Sequence, residues 1–266
     1  MVDKDDLITL GINTLFKVNK ITEEQEKDYW DRFCKKKINS GKFTELDYFF
    51  QKKVYARMHH NFLTIMGNVA DKEILEAGCG SGYASILLAQ EGAKVTLLDN
   101  SQFALEYSKR LCKKLKFRQR IKYILGSVEN LPFGENIFDI VHNCGVIEHY
   151  DNKIIIKMLR EMTRVAKKDG QIMVMIPNLL SPEIVYRMAK FGKGSERYIS
   201  KRKLRKLMEK ANLQDIEIKS ANASVIPSCF PEKIHQRFSF LDDKLKFLDY
   251  LFYGRGFKKE SAWYSD

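Results

Sequence analysis

The sequence predicts an α/β fold in which a seven-stranded, mostly parallel sheet carries helices on both faces. The first observation is that short β-branched runs alternate with amphipathic helical segments from residue 73 onward. The second is a cluster of glycines at residues 78–82, after the first of these runs and before a helical pattern. A glycine turn between strand and helix is typical of Rossmann-like sheets, which bind ligands at the carboxyl ends of their strands.

Helical patterns predominate before residue 70, so we interpret residues 1–70 as an N-terminal helical extension, or lid, of a domain at 71–266. Three segments have this character: LITLGINTLF, TEEQEKDYWDRFCKKKI and ELDYFFQKKVYARMHHNFLTIM. Thr22 is placed to cap the second of them. The extension is rich in aromatic residues, including Trp30, which either pack a helical cap or fold over the ligand site.

The strands of the sheet are predicted in chain order as EILEA, KVTLLD, IKYIL, FDIVHN and QIMVMI. Helical patterns at about residues 181–190 and 200–211 follow, and then a strand in LQDIEIKSA. The tail predicts a helix, FLDDKLKFLDYLFYG, and a short edge strand in KKESAWYS. Residues 179–266 are therefore interpreted as variable elements added to the sheet.

The composition is that of a globular chain, with 44% hydrophobic and 30% charged residues in 266. No run reaches the roughly 20 apolar residues of a membrane helix, and MVDKDDLITL lacks a signal-peptide layout, so we expect a cytoplasmic protein. The five cysteines are scattered and odd in number, which predicts free thiols and no zinc site. The net charge of +12 raises nucleic acid or an anionic surface as partners.

The glycine turn does not match the two common nucleotide loops. Gly78, Gly80 and Gly82 stand at every second position, whereas a dinucleotide loop of the form G-x-G-x-x-G needs a third glycine where this chain has Tyr83. Counting from Gly80 fails as well, and no G-x-x-x-x-G-K-[ST] loop is present. The turn is therefore predicted to hold neither a dinucleotide nor a nucleoside triphosphate.

Two acidic residues indicate a different ligand. Glu76 precedes the glycines, where a carboxylate repels a pyrophosphate and attracts a cation. Asp99 ends the next strand, where a carboxylate accepts hydrogen bonds from both ribose hydroxyls. A nucleoside with a positive charge and no phosphate satisfies both residues, and S-adenosylmethionine is such a molecule.

With these motifs, residues 70–178 resemble the class I S-adenosylmethionine-dependent methyltransferases, and within them the group that includes quinone and small-molecule methyltransferases. EAGCGSG matches the glycine motif of the family, GSVENLPFGENIFDIVHNCGVIEH its adenine-contacting segment and fourth strand, and MVMIPN its fifth strand. The resemblance implies S-adenosylmethionine as cofactor, S-adenosylhomocysteine as product and no metal. It implies methyl transfer to O, N or C of a small molecule.

The resemblance also assigns the cofactor contacts. The family commonly has an aspartate at the position of Ser127, whose hydroxyl can still accept a hydrogen bond from adenine. YWDRF at 29–33 resembles the segment from which a tyrosine approaches the methionine carboxylate. The cofactor-binding residues implied in this way are Glu76, Ala77, Gly78, Gly80, Gly82, Asp99, Asn100, Ser127, Val128, Glu129, Asn143, Cys144 and Tyr29.

Candidates for the chemistry follow the fourth strand, in HNCGVIEHYD. Methyl transfer is an in-line displacement at a sulfonium, so a base is needed only when the acceptor is a neutral oxygen or nitrogen. His149 is the candidate base because imidazole titrates near neutral pH, and Glu148 is the second. The alternative is a structural or cofactor-side role, since the Glu-His pair occurs across the resembling family with different acceptors.

The basic charge leaves other partners open. The run at residues 109–122 reads as the solvated face of an outer helix, whereas SKRKLRKLMEK at 200–210 can hold an anionic substrate or RNA. NCGV stands where base amino methyltransferases have N-P-P-Y, so a small-molecule acceptor is favoured over nucleic acid. The tail predicts peripheral contact with an anionic membrane as a further alternative. The remaining alternative for the function is a non-catalytic binding module with the S-adenosylmethionine-binding fold. The sequence leaves the oligomeric state open.

Overall fold

The structure is a computed structural model that describes residues 22–41, 53–115, 121–178, 180–182, 184–186, 196–221, 232–237, 244 and 251–258. The helices are α1 (Glu23–Ser40), α2 (Lys53–Met66), α3 (Tyr83–Gln90), α4 (Gln102–Lys114), α5 (Asn152–Val165), α6 (Lys201–Lys210) and α7 (Glu232–Arg237). The strands are β1 (Glu73–Ala77), β2 (Lys94–Asp99), β3 (Ile121–Leu125), β4 (Phe138–Cys144), β5 (Ala166–Pro177), β6 (Leu213–Ser220) and β7 (Leu251–Lys258). A 3₁₀ turn, Ile147–His149, follows β4.

The seven strands form one sheet in the order β3-β2-β1-β4-β5-β7-β6. Strands β1 to β5 pair in parallel, and β7 is antiparallel to both of its neighbours. The predicted fold class, a Rossmann-like and mostly parallel sheet of seven strands, is confirmed. The order reverses between β1 and β4, so the loops after these two strands frame the crevice in which such sheets bind ligands.

The sheet has an apolar core on each face. On one face α5 and α6 bury Met158, Leu159 and Leu204 against β4 and β5. On the other face α2 and α3 contribute residues such as Phe62 and Leu88. Helix α4 is a solvated outer helix as predicted, because its apolar face is buried and its basic residues 109, 110, 113 and 114 are exposed. Covering both faces leaves the carboxyl edge of the sheet open for a ligand.

The predicted end of the tail helix and the predicted position of the last strand are wrong. Residues 251–254 were expected to end a helix and the last strand was expected at a sheet edge in KKESAWYS, but β7 spans Leu251–Lys258 between β5 and β6. The strand alternates, with Phe252 packed into one core and Tyr253 into the other. Gly254 permits this insertion, since a Cβ atom there would lie 2.7 Å from Met208 Sδ. Lys244 is helical, as predicted, and the remaining residues of both predicted segments lie outside the described part of the chain.

Helix α1 is the first of the two described helices of the predicted extension, and α2 is the second. Thr22 caps it in a capping box, in which its hydroxyl accepts from the Gln25 amide and the Gln25 side chain accepts from the Thr22 amide. This confirms the predicted start of the helix. Cys34 packs with Ala104 and Tyr107 of α4, which docks α1 on the domain. The predicted helix at residues 7–16 lies outside the described residues, as does half of that at 181–190, whose described residues 182 and 184–186 are helical.

Within the part of the chain that the structure describes, no helix is both long enough and apolar enough to cross a bilayer.

Candidate functional site

The glycine turn after β1 bends in a way that only glycine accepts readily. Gly78, Gly80 and Gly82 have φ angles of 79°, 51° and 63°, all in the left-handed region. A Cβ atom on Gly82 would lie 2.5 Å from Leu97 Cδ1 and 2.7 Å from Ser108 Oγ, so the third glycine is fixed by packing against the domain. At Gly80 a Cβ atom would lie 3.4 Å from the Trp30 ring of α1. The turn thus lies between the sheet and the N-terminal helix.

Asp99, at the end of β2, holds the turn in place. Its Oδ2 accepts a hydrogen bond from the Gly80 amide at 2.8 Å, and its Oδ1 accepts one from the Ser101 amide at 2.9 Å. Burial raises the pKa of this carboxyl group, and the two amides oppose that rise. Each carboxylate oxygen has a second lone pair, so Asp99 can accept further hydrogen bonds from a ligand hydroxyl.

Glu76 is the buried acid on the other side of the turn. Its side chain is 4% exposed, and its Oε2 atom lacks a hydrogen-bond partner. Burial raises the pKa of Glu76 to about 7, although hydrogen bonds from Ser85 oppose the rise. An orphaned carboxyl oxygen in a cavity wall costs free energy unless a ligand pairs with it. The arrangement therefore fits a cationic ligand.

These groups surround a cavity of about 210 Å³ at the carboxyl edge of the sheet. Its described lining includes four carboxyl groups, those of Glu23, Glu26, Glu76 and Asp99, and no lysine or arginine. The negative charge of the cavity contrasts with the net charge of +12 of the chain. The cavity consequently selects a ligand that is positive or neutral.

The structure brings eight of the predicted residues into this cavity. Val128 and Gly126 form one end of it, and Cys144 and His149 line the end that follows β4. The predicted residues in its wall are Glu76, Gly78, Gly80, Asp99, Asn100, Val128, Cys144 and His149.

Other predicted residues lie outside the cavity wall. Ala77 is fully buried in β1, and Gly82 starts α3. Asn143 is buried and donates a hydrogen bond to Met162 Sδ at 3.5 Å. Tyr29 is 53% exposed and stacks on Phe33, so its neighbour Trp30 is the aromatic residue of α1 that faces the cavity.

The segment after β3 presents its residues in two ways. Ser127 lies in a depression beside the cavity, which Asn100 and Gly126 also line. Its hydroxyl accepts a hydrogen bond from the Glu129 amide at 3.1 Å. Glu129 points to α5 and forms an ion pair of 3.0 Å with Lys157. Ser127 is therefore within reach of the site, whereas Glu129 stabilises the turn.

The two candidate catalytic groups differ in their surroundings. His149 lines the cavity, and its Nδ1 lies 3.7 Å from Glu26 Oε2. Glu148 is 1% exposed, has an Oε2 atom without a hydrogen-bond partner, and is absent from the described lining. Burial raises the pKa of Glu148 to about 7. Of the two, only His149 is placed to meet a substrate.

Glu23 and Glu26 are the acidic residues of the described lining that the sequence did not predict. Both lie in the first turn of α1 and line the cavity together with Trp30. The signal was present, because positions 23, 26 and 30 are three and four residues apart and share one face of a helix. It could not be used without knowing that this face turns toward the glycine loop.

Comparison with known proteins identifies the region that carries this site. Residues 74–170 match the family model described as a methyltransferase domain. This segment belongs to the class I S-adenosylmethionine-dependent methyltransferases. S-adenosylmethionine, the cofactor predicted from the glycine turn and Asp99, is the cofactor of that family.

Relatives of the methyltransferase domain match it over part of their length. An uncharacterised methyltransferase of Synechocystis is 32% identical over 114 residues, which cover 43% of this chain and 51% of the relative. The mitochondrial ubiquinone biosynthesis O-methyltransferase of Schizosaccharomyces pombe is 40% identical over 83 residues, which cover 30% of this chain and 29% of the relative. The chain thus spans about half the length of the first relative and less than a third of the second.

A solved structure extends the likeness of fold beyond the methyltransferase domain. It is the methyltransferase from the complex with the Trm112 methyltransferase activator of Haloferax volcanii, at 16% identity and a TM-score of 0.61. The match covers 90% of this chain and 99% of that one. At this identity the comparison supports the fold alone.

Proposed function

We propose that the protein transfers the methyl group of S-adenosylmethionine to O, N or C of a small-molecule acceptor. The observation that carries the proposal is the pairing of Glu76, a buried carboxyl with an orphaned oxygen, with Asp99 across one glycine turn. A cationic nucleoside satisfies both groups, and a phosphorylated one does not.

The residues present fit the cofactor. Asp99 would accept hydrogen bonds from the ribose hydroxyls, and Glu76 would pair with the ammonium group of the methionine moiety. Gly126 and Val128 would enclose the adenine end of the cavity. The bound cofactor supplies an electrophilic methyl group on a positive sulfur. The protein's own contribution is to hold the two reactants in line and to exclude water.

Two features favour a small acceptor close to the sheet edge. The S. pombe relative is named as an O-methyltransferase of ubiquinone biosynthesis, which is a small-molecule reaction. Residues Glu23, Glu26 and Trp30 of α1 also cover the cavity, which supports the interpretation of the N-terminal region as a lid. A covered cavity admits a small molecule more readily than a folded macromolecule.

Methylation of RNA is the second candidate function, and helix α6 is the observation that favours it. Residues Lys201, Arg202, Arg205 and Lys210 are exposed on this helix. Clustered cations of this kind bind phosphate backbones. RNA binding that weakens steeply with salt, together with methyl transfer to RNA, would favour this alternative over the small-molecule acceptor.

Cofactor binding is the first test of the proposal. Titration calorimetry of the full chain is expected to detect binding of S-adenosylmethionine and of S-adenosylhomocysteine, with one site per chain. Incubation with metabolite extracts is then expected to produce a compound heavier by one CH₂, dependent on the cofactor. Absence of binding for both nucleosides would overturn the proposed function, and binding without any transfer would favour the non-catalytic binding module.

His149→Gln tests the proposed base. Removing the imidazole is expected to lower turnover by about a hundredfold, within the usual range for loss of a general base, because proton removal limits transfer to a neutral acceptor. The dissociation constant of S-adenosylmethionine is expected to stay within about twofold, since Glu76 and Asp99, which would hold the cofactor, are unchanged. The matched control is His60→Gln, at an exposed histidine of α2. Equal turnover in the two variants would remove His149 from the mechanism.

A further inference from the structure

The cavity places an acid of α1 against the candidate base. Glu26 Oε2 lies 3.7 Å from His149 Nδ1, and the two side chains are only 13% and 12% exposed. Both line the same cavity, although they come from elements that are far apart in the chain. An acid and a histidine screened together from solvent interact more strongly than an exposed pair does.

Glu26 is fixed on its own helix. Its Oε1 accepts a hydrogen bond from Trp30 Nε1 at 3.1 Å, one turn further along α1. The Trp30 ring in turn packs at the glycine loop, near Gly80. This leaves Oε2 as the oxygen that faces the histidine.

Helix α1 itself is tied to the cofactor edge of the sheet. Asn100 Nδ2 donates a hydrogen bond to Glu23 Oε1 at 3.1 Å. The Ser101 hydroxyl donates a hydrogen bond to Oδ1 of Asp31, the residue that follows Trp30 in α1. Because these ties lie directly after Asp99, the position of Glu26 is coupled to the residues proposed to hold the ribose.

His149 is fixed from the opposite side. It lies in the 3₁₀ turn Ile147–His149, and the Arg197 amide donates to the Glu148 carbonyl at 2.9 Å. The Arg197 guanidinium donates to the Tyr150 carbonyl. The backbone of the turn is therefore held on both flanks of the histidine.

We propose that Glu26 is a positioning residue for His149 and that the acceptor is a hydroxyl or an amine that carries a proton. The Glu26 carboxylate keeps the imidazole proton on Nδ1, so that Nε2 is the basic nitrogen. The proposal rests on the proposed function. The distance of 3.7 Å exceeds a hydrogen bond, and such contacts tighten when the reactants bind.

The proposed methyl transfer makes one bond, breaks one bond and moves one proton. A bond forms between the acceptor oxygen or nitrogen and the methyl carbon, while the bond from methyl carbon to sulfur breaks and its electron pair stays on sulfur. The proton of the acceptor passes to His149 Nε2. The resulting imidazolium carries its charge next to the Glu26 carboxylate, in the manner by which an acid stabilises a catalytic histidine.

A purely structural Glu26, present only to anchor Trp30, gives a different expectation. In that case its removal would alter the docking of α1 but leave the tautomer of His149 unchanged. The tautomer is therefore the readout that separates a positioning role from a structural one.

The test is ¹⁵N NMR of the histidine rings of the full chain in alkaline buffer, with and without S-adenosylhomocysteine. His149 is assigned by its loss in His149→Gln. In the wild type we expect its neutral ring to carry the proton mainly on Nδ1. In Glu26→Leu we expect the proton to move mainly to Nε2, which is the usual preference of a histidine side chain.

Glu24→Leu is the matched control, since it makes the same change at an exposed position of the same turn of α1. We expect it to keep the wild-type tautomer. A wild-type ring with its proton on Nε2, or an unchanged ring in Glu26→Leu, would overturn the positioning role. Failure of S-adenosylhomocysteine to bind would overturn the proposed function instead, and the tautomer of the unbound protein would still decide the role of Glu26.

Discussion

Gly82→Ala is expected to lower the free energy of unfolding by about 2–5 kcal/mol, the largest stability effect of any single methyl group in the site. Two costs add at this position. An alanine at a φ of 63° is strained, and its Cβ would meet Leu97 Cδ1 at 2.5 Å and Ser108 Oγ at 2.7 Å. Because Leu97 lies in the buried strand β2, it cannot move aside without disturbing the core.

Gly67→Ala separates the two costs. Gly67 has a φ of 78° but no atom within 4 Å of its Cβ position, so only the strain of the left-handed backbone remains. We expect this variant to lose about 1 kcal/mol by chemical denaturation. Equal losses in the two variants would show that packing does not fix the third glycine of the turn.

The site is predictable from sequence where it depends on order along the chain. Glu76 and Asp99 lie at the ends of β1 and β2, and the glycines follow β1. Parallel strands bring their carboxyl ends to one edge of the sheet. This is why the turn and its acidic partner were found together. Helix α1 precedes the first strand, so the order of the strands does not predict where α1 lies. The contact between Glu26 and His149 therefore could not be read from the sequence.

Strand β7 was not predicted, and the reason is physical as well. FLDDKLKFLDYLF repeats its apolar residues at helical spacing, and the alternation of β7 is short and interrupted by Gly254 and Gly256. These glycines serve packing, because a Cβ at Gly254 would press on Met208 of α6. Local propensity thus indicated a helix, and the tertiary packing of α6 on the sheet selected a strand.

The affinity of the wild-type protein for S-adenosylmethionine is expected to rise about tenfold from about pH 6 to about pH 8. Burial raises the pKa of Glu76 to about 7, so its carboxyl group is mostly neutral at the lower pH. A cation prefers the ionised form, and binding near neutral pH must therefore release a proton. Calorimetry in two buffers of different ionisation enthalpy measures that proton directly.

Glu76→Gln is expected to abolish this pH dependence and to weaken binding about ten- to a hundredfold at the higher pH, because a charged hydrogen-bond partner is lost. Glu148→Gln is the control, since burial also raises the pKa of Glu148 to about 7 but its side chain is absent from the described cavity lining. The raised pKa of Glu76 also affects the stability of the fold. The neutral side chain contributes fully to the free energy of unfolding at pH values below the pKa that Glu76 has in the unfolded chain. That contribution is lost as the pH rises through about 7, and the bound cation opposes the loss. If the pH dependence persisted in Glu76→Gln and disappeared in Glu148→Gln, the carboxylate that binds the cation would be that of Glu148 and not that of Glu76.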